Sequence, residues 1–398
     1  MKVYADNAAT TQVSKTAREA MLPCLCELYG NPSSLHSFGQ EAAEVLAEAR
    51  MTVGALLNAA DPMREIIFTS GGSEADNQVI LSAAAYGALK GKKHLISTKF
   101  EHHAELHTLE KLRKQGFEIT LLDVHENGVV TVGDVLAALR PDTALVTVMF
   151  ANNEIGTLQP ISEIGALCRE RGIPFHTDAV QAVGHTPIDV QAMNIDALSL
   201  SGHKFHAPKG VGALYIKKGV LPLVNVIEGG AQERGKRAGT ENIPGIVAMA
   251  AAMKESCANL EEDAVRVTHM RERLIEGLSK IPHSKLNGDR NIRVPGTVNF
   301  CFEGIEGESL LMYLDQKGIA ASSGSACTSG SLEPSHVLLS LGMPAEVAHG
   351  SLRLSICEYN TEAEIDHILE CVPKVVDRLR EMSPFWEEIE KGERPHLI

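Results

Sequence analysis

Short apolar runs typical of buried strands alternate with helical patterns through the first half of this 398-residue chain. The runs that predict strands are 65–69, 94–98, 118–123, 143–150, 173–177, 197–200 and 211–216, and helical patterns at 73–89, 104–114 and 161–171 separate several of them. This alternation predicts an α/β fold with a mostly parallel sheet sandwiched by helices. Ligands of such sheets bind beyond the carboxyl ends of the strands, so polar residues at those ends are the first candidates for a site.

The pattern changes after about residue 229. A helix is predicted at 239–253, and apolar residues at helical spacing from Leu260 to Leu278 predict a long amphipathic helix that links to a second region. A shorter alternation follows there, with strands at 297–301, 319–321 and 351–356 and helices at 308–317 and 362–381. The length of the chain suggests one large domain of roughly 250 residues and a smaller one, which we expect to be α+β.

Charge and hydropathy exclude several classes of partner. The formal net charge of −14 argues against nucleic acid or an anionic membrane surface as the main partner. The most apolar stretch, near 246–253, is too short for a membrane span, and the first six residues contain no apolar core of a signal peptide. We therefore expect a water-soluble, cytoplasmic protein.

Cys327 differs from the other seven cysteines in its surroundings. Most of the others lie in apolar helical or strand-like runs, where a reduced cysteine behaves as a small buried hydrophobic residue. The segment around Cys327, 321–331, contains no bulky residue and no period, which predicts a mobile, exposed loop. An exposed thiol can be a tolerated surface residue, but small neighbours on both sides would let it move, and we favour a reactive role.

Polar clusters follow three of the early strands. Gly72 and Ser73 begin a helix, where free backbone N–H groups can bind an anion, although Ser73 could also act only as the N-cap. His102 and its neighbour His103 could catalyse, bind a metal or lie exposed, and the absence of an evident third ligand makes metal the weakest choice. Asn153 lies in a stretch that is typical of a turn.

Two later strand ends carry an acid and an amine. Asp178 would be costly at the end of a buried strand unless it has a partner, and a cationic ring nitrogen would suit it. Lys204 lies in a turn between two apolar runs, where it is either an ordinary solvated lysine or an amine that burial keeps neutral for covalent chemistry. An anion cradle, an aspartate and a lysine in this order predict a pyridoxal-phosphate site. No nucleotide-binding glycine motif is present.

The sequence resembles the cysteine desulfurases of the NifS/IscS-like type, in the long-loop group of the class V aminotransferase family. The resemblance covers essentially the whole chain and rests on the stretches 6–11, 30–34, 201–204, 322–328 and 383–386. It implies the aspartate-aminotransferase-like type I fold and a homodimer with its sites at the subunit interface. It also implies a large cofactor-binding domain at 15–257 and a small domain formed by 1–14 and 258–398, with the Cys327 loop at about 322–333.

The resemblance also implies roles for individual residues. Lys204 would attach the cofactor covalently and move the substrate's Cα proton, Asp178 would pair with the pyridine nitrogen, and Gln181 would reach the ring oxygen. His102 would stack on the ring and transfer protons. The other residues implied to bind the cofactor are Gly72, Ser73, Asn153, Ser201, Gly202, His203 and Thr240 of the neighbouring subunit. Residues implied to bind the substrate carboxylate are Asn153 and Arg353, with Asn31 close by; from the sequence alone Arg353 is either such a clamp or a surface residue.

The implied reaction takes sulfur from L-cysteine, releases L-alanine and leaves a persulfide on Cys327, which passes it to an iron–sulfur scaffold or another acceptor protein. Cys327 is also a candidate transient ligand of an iron–sulfur cluster whose other ligands come from the partner. The alternatives are a selenocysteine lyase or aminotransferase that uses Lys204 without Cys327, or a non-catalytic scaffold. Two departures from the family pattern are Gly72-Ser73 in place of Ala-Thr and Ala207 in place of Gly; Ser73 keeps the hydroxyl for phosphate binding.

Overall fold

The computed structural model describes residues 1–323 and 334–398, so Cys327 lies outside the described residues. The strands are β1 (Val3–Tyr4), β2 (Ile66–Thr69), β3 (His94–Thr98), β4 (Glu118–Leu122), β5 (Thr143–Thr147), β6 (Phe175–Asp178), β7 (Ala197–Ser201), β8 (Gly212–Ile216), β9 (Ser284–Leu286), β10 (Thr297–Phe302), β11 (Ile319–Ala320) and β12 (Ser351–Ser355).

The helices in the first half are α1 (Lys15–Met21), α2 (Pro23–Cys26), α3 (Ser37–Leu56), α4 (Pro62–Glu65), α5 (Gly72–Leu89), α6 (His103–Lys114), α7 (Val132–Ala138) and α8 (Ile161–Arg171). Those in the second half are α9 (Gln232–Gly235), α10 (Ile243–Ala258), α11 (Leu260–Leu278), α12 (Gly307–Gln316), α13 (His336–Ser340), α14 (Ala345–Ala348), α15 (Glu362–Glu381) and α16 (Pro384–Glu390). A 3₁₀ turn, Gly202–Lys204, follows β7.

The central sheet has seven strands in the order β2-β8-β7-β6-β5-β3-β4. All neighbouring pairs are parallel except those of β8, which runs antiparallel to both β2 and β7. The predicted mostly parallel α/β sheet is therefore confirmed. Because β8 alone is reversed, β2, β6 and β7 have their carboxyl ends at one edge of the sheet, which is where the polar clusters follow.

Burial of both faces explains why most of these strands lack a simple alternation of apolar and polar residues, although β6 and β7 also bury polar side chains. The residues of β2, β3, β5, β6, β7 and β8 are all buried, whereas the edge strand β4 is buried only at its last residue. Helix α5 packs on β5, β7 and β8, so it covers the centre of the sheet. A strand that is covered on both faces needs apolar side chains on both, and periodicity of two is lost.

The second half forms a separate sheet with the order β12-β10-β9, and β1 pairs in parallel with β11. The long helices α11 and α15 pack against each other, and their apolar faces join a core that includes Val267, Leu274, Phe300 and Val372. Helix α15 begins at a capping box in which Thr361 and Glu364 each bind the other's backbone N–H group. In residues 1–323 and 334–398, no helix combines the length and the apolar character needed to cross a bilayer.

Candidate active site

The N-terminal loop, residues 6–11, joins several of the predicted site residues. Lys204 Nζ donates to the backbone oxygens of Ala8 at 2.6 Å and Ala9 at 2.9 Å. Gln181 Nε2 donates to the same Ala8 oxygen at 2.9 Å. The loop therefore holds the amine of Lys204 beside Gln181, although the two residues follow different strands.

The turn after β7 fixes the position of Lys204. The backbone oxygen of Lys204 lies 2.9 Å from His185 Nε2, and His203 Nδ1 lies 3.1 Å from Thr10 Oγ1. Burial, followed by the charge of Lys204, lowers the pKa of His203 to about 4. His203 is therefore neutral at neutral pH and can present a hydrogen bond without adding a charge beside the amine.

Asp178 ends β6, and its side chain is buried. Its Oδ1 accepts from the backbone N–H group of Val180 at 2.8 Å. Burial raises the pKa of Asp178 to about 6, while the Val180 hydrogen bond and the charge of Lys204 oppose that shift. A cation brought against this carboxylate would lower its pKa and keep it ionised. A protonated ring nitrogen supplies such a cation.

The start of α5 lies against the residues around Asp178 and Lys204. Gly71 is the N-cap and gives no side-chain hydrogen bond, so the alternative that Ser73 caps this helix is wrong. A Cβ atom on Gly72 would lie 2.5 Å from Val180 Cγ2 and 3.7 Å from Ser201 Cβ. The backbone N–H groups of an uncapped helix of 18 residues thus lie beside Ser201, an arrangement that binds a phosphate.

His102 is the N-cap of α6, and its Nδ1 accepts from the backbone N–H group of Ala104 at 3.1 Å. That hydrogen bond assigns the proton of the neutral ring to Nε2. Burial, followed by the positive charge of Lys204, lowers the pKa of His102 to about 4. The ring is therefore neutral at neutral pH. Helix α13 is held near His102, because His336 Nε2 on α13 lies 2.9 Å from the backbone oxygen of Glu101.

Arg353 on β12 is buried, so the surface alternative is wrong. Its Nη2 donates to Asp6 Oδ1 and its Nη1 to the backbone oxygen of Asn153, both at 2.9 Å. Its Nε has no partner among the described residues. A guanidinium that is held by one carboxylate and one carbonyl and has a free N–H group can still bind a second carboxylate.

The two ends of the segment 324–333 are fastened at these same residues. Before it, Ser322 and Arg353 exchange backbone hydrogen bonds of 2.6 Å and 3.2 Å. After it, Ser335 Oγ donates to the buried carboxylate of Glu154, the residue that follows Asn153. Ser322 and Ser335, on either side of this segment, therefore lie beside the predicted carboxylate clamp, and the predicted Cys327 site lies outside the described residues.

Two predicted residues are not joined to this group by the described contacts. Asn31 is exposed in a turn, where its Oδ1 accepts from the backbone N–H group of Ser33 at 2.9 Å. Thr240 is exposed and lines a cavity of about 210 Å³ together with Ser70 and Gly210. Since Thr240 is predicted to act in the neighbouring subunit, its role stays a prediction.

Residues 6–11 connect the site, a role that the sequence did not predict. Asp6 anchors Arg353 over a separation of 347 residues, and Ala8 and Ala9 contribute only backbone oxygens. The signal in the sequence was that this stretch of small residues is one of those on which the family resemblance rests. The Ala207 departure has no cost in the turn, because the left-handed φ of 67° belongs to His206 and Ala207 is not among the described residues with positive φ.

The residues present fit pyridoxal phosphate. The set combines an amine at Lys204, a buried carboxylate at Asp178 and an uncapped helix N-terminus at Gly72. Those three groups match the aldehyde, the ring nitrogen and the phosphate of this cofactor. Ser201 and the neutral His102 lie around them.

Comparisons with known proteins support the same reading. The sequence model of the Aminotransferase class-V family matches residues 3–368. A protein of Clostridium botulinum (strain Hall) named cysteine desulfurase IscS is 54% identical over 394 residues, which cover 98% of each chain. A solved NifS-like protein has a TM-score of 0.89 at 37% identity, covering 95% of this chain and 100% of its own. A structure titled SspA in complex with cysteine has a TM-score of 0.79 at 35% identity, covering 90% of this chain and 100% of its own.

Proposed function

Because this chain belongs to the class-V aminotransferase family and resembles cysteine desulfurases over nearly its whole length, we propose that it takes sulfur from L-cysteine and leaves a persulfide on Cys327. The cofactor is pyridoxal phosphate. The observation that carries the role of Cys327 is the fastening of both ends of its segment, through Ser322 and Ser335, beside Arg353 and Glu154.

The cofactor, when bound, supplies an aldehyde that captures amines and a ring that withdraws electrons from the substrate carbon. Lys204 would attach it, and the same amine would move the proton of the substrate Cα. Asp178 would hold the ring nitrogen protonated, and the backbone N–H groups at Gly72 would bind the phosphate. The neutral His102 can donate from Nε2 without bringing a positive charge against Lys204.

Arg353 would bind the substrate carboxylate through its unpartnered Nε, while Asp6 and Asn153 hold the guanidinium in place. The Cys327 thiolate then forms a bond with the substrate sulfur. The Cβ–S bond breaks, its electron pair stays with the substrate carbon, and protonation there gives L-alanine. Atoms and electrons balance without a further oxidant, and the persulfide passes to an acceptor.

We also propose the arrangement around this chemistry. Residues 15–257 form the cofactor-binding domain, and 1–14 with 258–398 form the small domain that carries the loop. Two copies assemble as a cytoplasmic homodimer in which Thr240 of each subunit reaches the phosphate in the other and Asn31 lies near the substrate. The acceptor is an iron–sulfur scaffold protein, whose ligands together with Cys327 could hold a nascent cluster.

The test compares Lys204→Ala and Cys327→Ser with the unaltered chain. L-Alanine and sulfide are measured after incubation with L-cysteine and a thiol reductant. We expect both variants to lose turnover, and Lys204→Ala alone to lose the visible absorbance of the bound cofactor. Undiminished sulfur release by Cys327→Ser would instead favour a lyase or aminotransferase that uses Lys204 without the thiol, and a chain that binds no cofactor would favour a scaffold.

A further inference from the structure

Five buried polar side chains form a continuous chain through the core, next to Asp178. We call them the buried carboxyl chain; in order they are Glu105 on α6, Thr147 on β5, His176 on β6, Ser199 on β7 and Asp76 on α5. None is more than 1% exposed to solvent. Asp178 lies two residues beyond His176 and pairs in register with Ser199, so its side chain is on the same face of the sheet.

Short polar contacts join the members in sequence. Thr147 Oγ1 lies 2.9 Å from Glu105 Oε2 and 2.8 Å from His176 Nδ1. On the other side of the ring, His176 Nε2 lies 2.9 Å from Ser199 Oγ, and Ser199 lies beside the Asp76 carboxyl group, whose pKa it helps to lower. The imidazole therefore lies between two hydroxyl groups, each of which leads to a carboxyl group.

The position of the imidazole deprives one carboxyl group of a donor. A neutral imidazole donates from one nitrogen and accepts at the other. If His176 donates to Thr147, then Ser199 gives its single proton to His176 Nε2 and has none left for Asp76. In the opposite tautomer Thr147 gives its proton to His176 Nδ1 and has none left for Glu105. In either tautomer one of the two carboxyl groups lacks a hydroxyl donor, which favours its neutral, protonated form.

Charge balance extends this preference to both carboxyl groups. In the part of the chain that the structure describes, the ion-pair contacts of Asp76 and Glu105 are with His176, at 3.8 Å and 3.6 Å. Burial lowers the pKa of His176 to about 3, so the ring brings no positive charge. The carboxyl oxygens that face the ring, Asp76 Oδ1 and Glu105 Oε1, have no hydrogen-bond donor in residues 1–323 and 334–398. A carboxylate without a cation or donor is far more costly to bury than a neutral acid.

Further carboxyl groups face the buried carboxyl chain from neighbouring elements of the fold. Asp178 and Glu101 are both buried, and burial raises the pKa of Glu101 to about 8. The basic groups on this side are Lys204 and His102, and His102 is neutral at neutral pH. Burial, together with the nearby carboxyl groups, raises the pKa of Asp76 and of Glu105 well above the ordinary range.

We propose that Asp76 and Glu105 are neutral carboxylic acids at neutral pH and, with His176, form a positioning network that keeps Asp178 the ionised carboxylate at the cofactor. Two ionised neighbours would repel the charge of Asp178 and favour its protonation. Two neutral acids bridged by hydroxyl groups hold the strands β5, β6 and β7 together without that repulsion. The role toward Asp178 rests on the proposed function, whereas the protonation of Asp76 and Glu105 does not.

Counting the protons released on unfolding tests the protonation directly. The full chain, stripped of cofactor, is transferred into concentrated denaturant at pH 7, where unfolded aspartate and glutamate are ionised. Relative to the unaltered chain, we expect Asp76→Asn and Glu105→Gln each to release one proton fewer and the double variant two fewer. Glu44→Gln, an exposed charge-matched control, should change nothing. A loss of fewer than two protons in the double variant overturns the proposal.

Infrared spectra of the unaltered chain test the same claim if a variant does not fold. With isotope-labelled aspartate, native protein at pH 7 should show an aspartic-acid carbonyl band in addition to the carboxylate bands. Absence of the acid band overturns the proposal for Asp76.

The positioning role is tested with the loaded protein through the pH titration of the visible absorbance of bound pyridoxal phosphate. An amide replaces a neutral acid without a change in charge, so the midpoint in Asp76→Asn and Glu105→Gln should equal that of the unaltered chain. A displaced midpoint contradicts the role. A chain that binds no pyridoxal phosphate would refute the proposed function and with it the role toward Asp178, while the proton counts would still decide whether Asp76 and Glu105 are acids.

Discussion

Loss of the Glu233 carboxylate should destabilise the fold strongly, because it leaves a buried guanidinium without its partner. Arg50 on α3 and Glu233 in α9 form a two-pronged ion pair with both N–O distances at 2.7 Å, and their side chains are 6% and 1% exposed. Arg50 also donates to the backbone oxygen of Ile66, and Glu233 accepts from the backbone N–H group of Phe68. The pair thus fastens the 232–235 segment to β2.

The magnitude follows from the burial of both partners. Removing one member of a buried, hydrogen-bonded pair typically costs about 3–5 kcal/mol. That corresponds to roughly 200- to 5,000-fold in the folding equilibrium constant. Glu233→Gln keeps the shape but turns an NH₂ group toward a guanidinium that has only donors.

The assay is urea denaturation of the full chain, followed by circular dichroism and by the fluorescence of Trp386, the single tryptophan. Coincident curves show whether one transition reports on both halves of the fold. The matched control is Glu110→Gln, which breaks the exposed ion pair with Arg113 and should cost less than about 1 kcal/mol. If Glu233→Gln costs no more than this control, the assignment of a stabilising buried pair is refuted.

Three further predictions concern the site itself. Although Ala is usual at this position in the family, Gly72→Ala here places a Cβ 2.5 Å from Val180 Cγ2 and should weaken binding of pyridoxal phosphate roughly tenfold in an absorbance titration; unchanged binding would contradict the close packing of the cradle in this chain. Asp6→Asn loosens Arg353 and should raise KM for L-cysteine more than it lowers kcat; an unaltered KM would exclude Arg353 as the carboxylate clamp. The pKa of His102 is about 4 in the fold and about 6.5 when unfolded, so protonation of the unfolded chain should remove up to about 3 kcal/mol as pH falls from 6.5 to 4; His102→Gln should flatten that slope, and an equal slope in the variant would contradict the burial argument.

The sheet and the residues at its strand ends could be predicted because short strand-like runs alternate with helical patterns along the first half of the chain. Asp178 ends one of these strands and Lys204 follows another, and parallel strands bring their carboxyl ends to one edge. The alternation of strand-like and helical patterns therefore predicted both the parallel sheet and the edge at which the site lies.

The contacts that complete the site could not be predicted, because they depend on backbone groups and on distant chain segments. Lys204 binds the backbone oxygen of Ala8 over 196 residues, and a carbonyl leaves no mark in the identity of its residue. Asp76 is a second case that the sequence does not reveal. A polar residue on a helix is typically at the surface, yet Asp76 is buried and its carboxyl group faces His176 on β6.

The most direct test of the account is to locate the sulfur after one turnover. The chain is incubated with L-cysteine without reductant, its thiols and persulfides are alkylated, and the peptides are identified by mass spectrometry. We expect the added sulfur on the peptide that contains Cys327, with an equal amount of L-alanine released, and none of either from Lys204→Ala. Sulfur on a different cysteine, or L-alanine formation that persists in Lys204→Ala, would contradict the account.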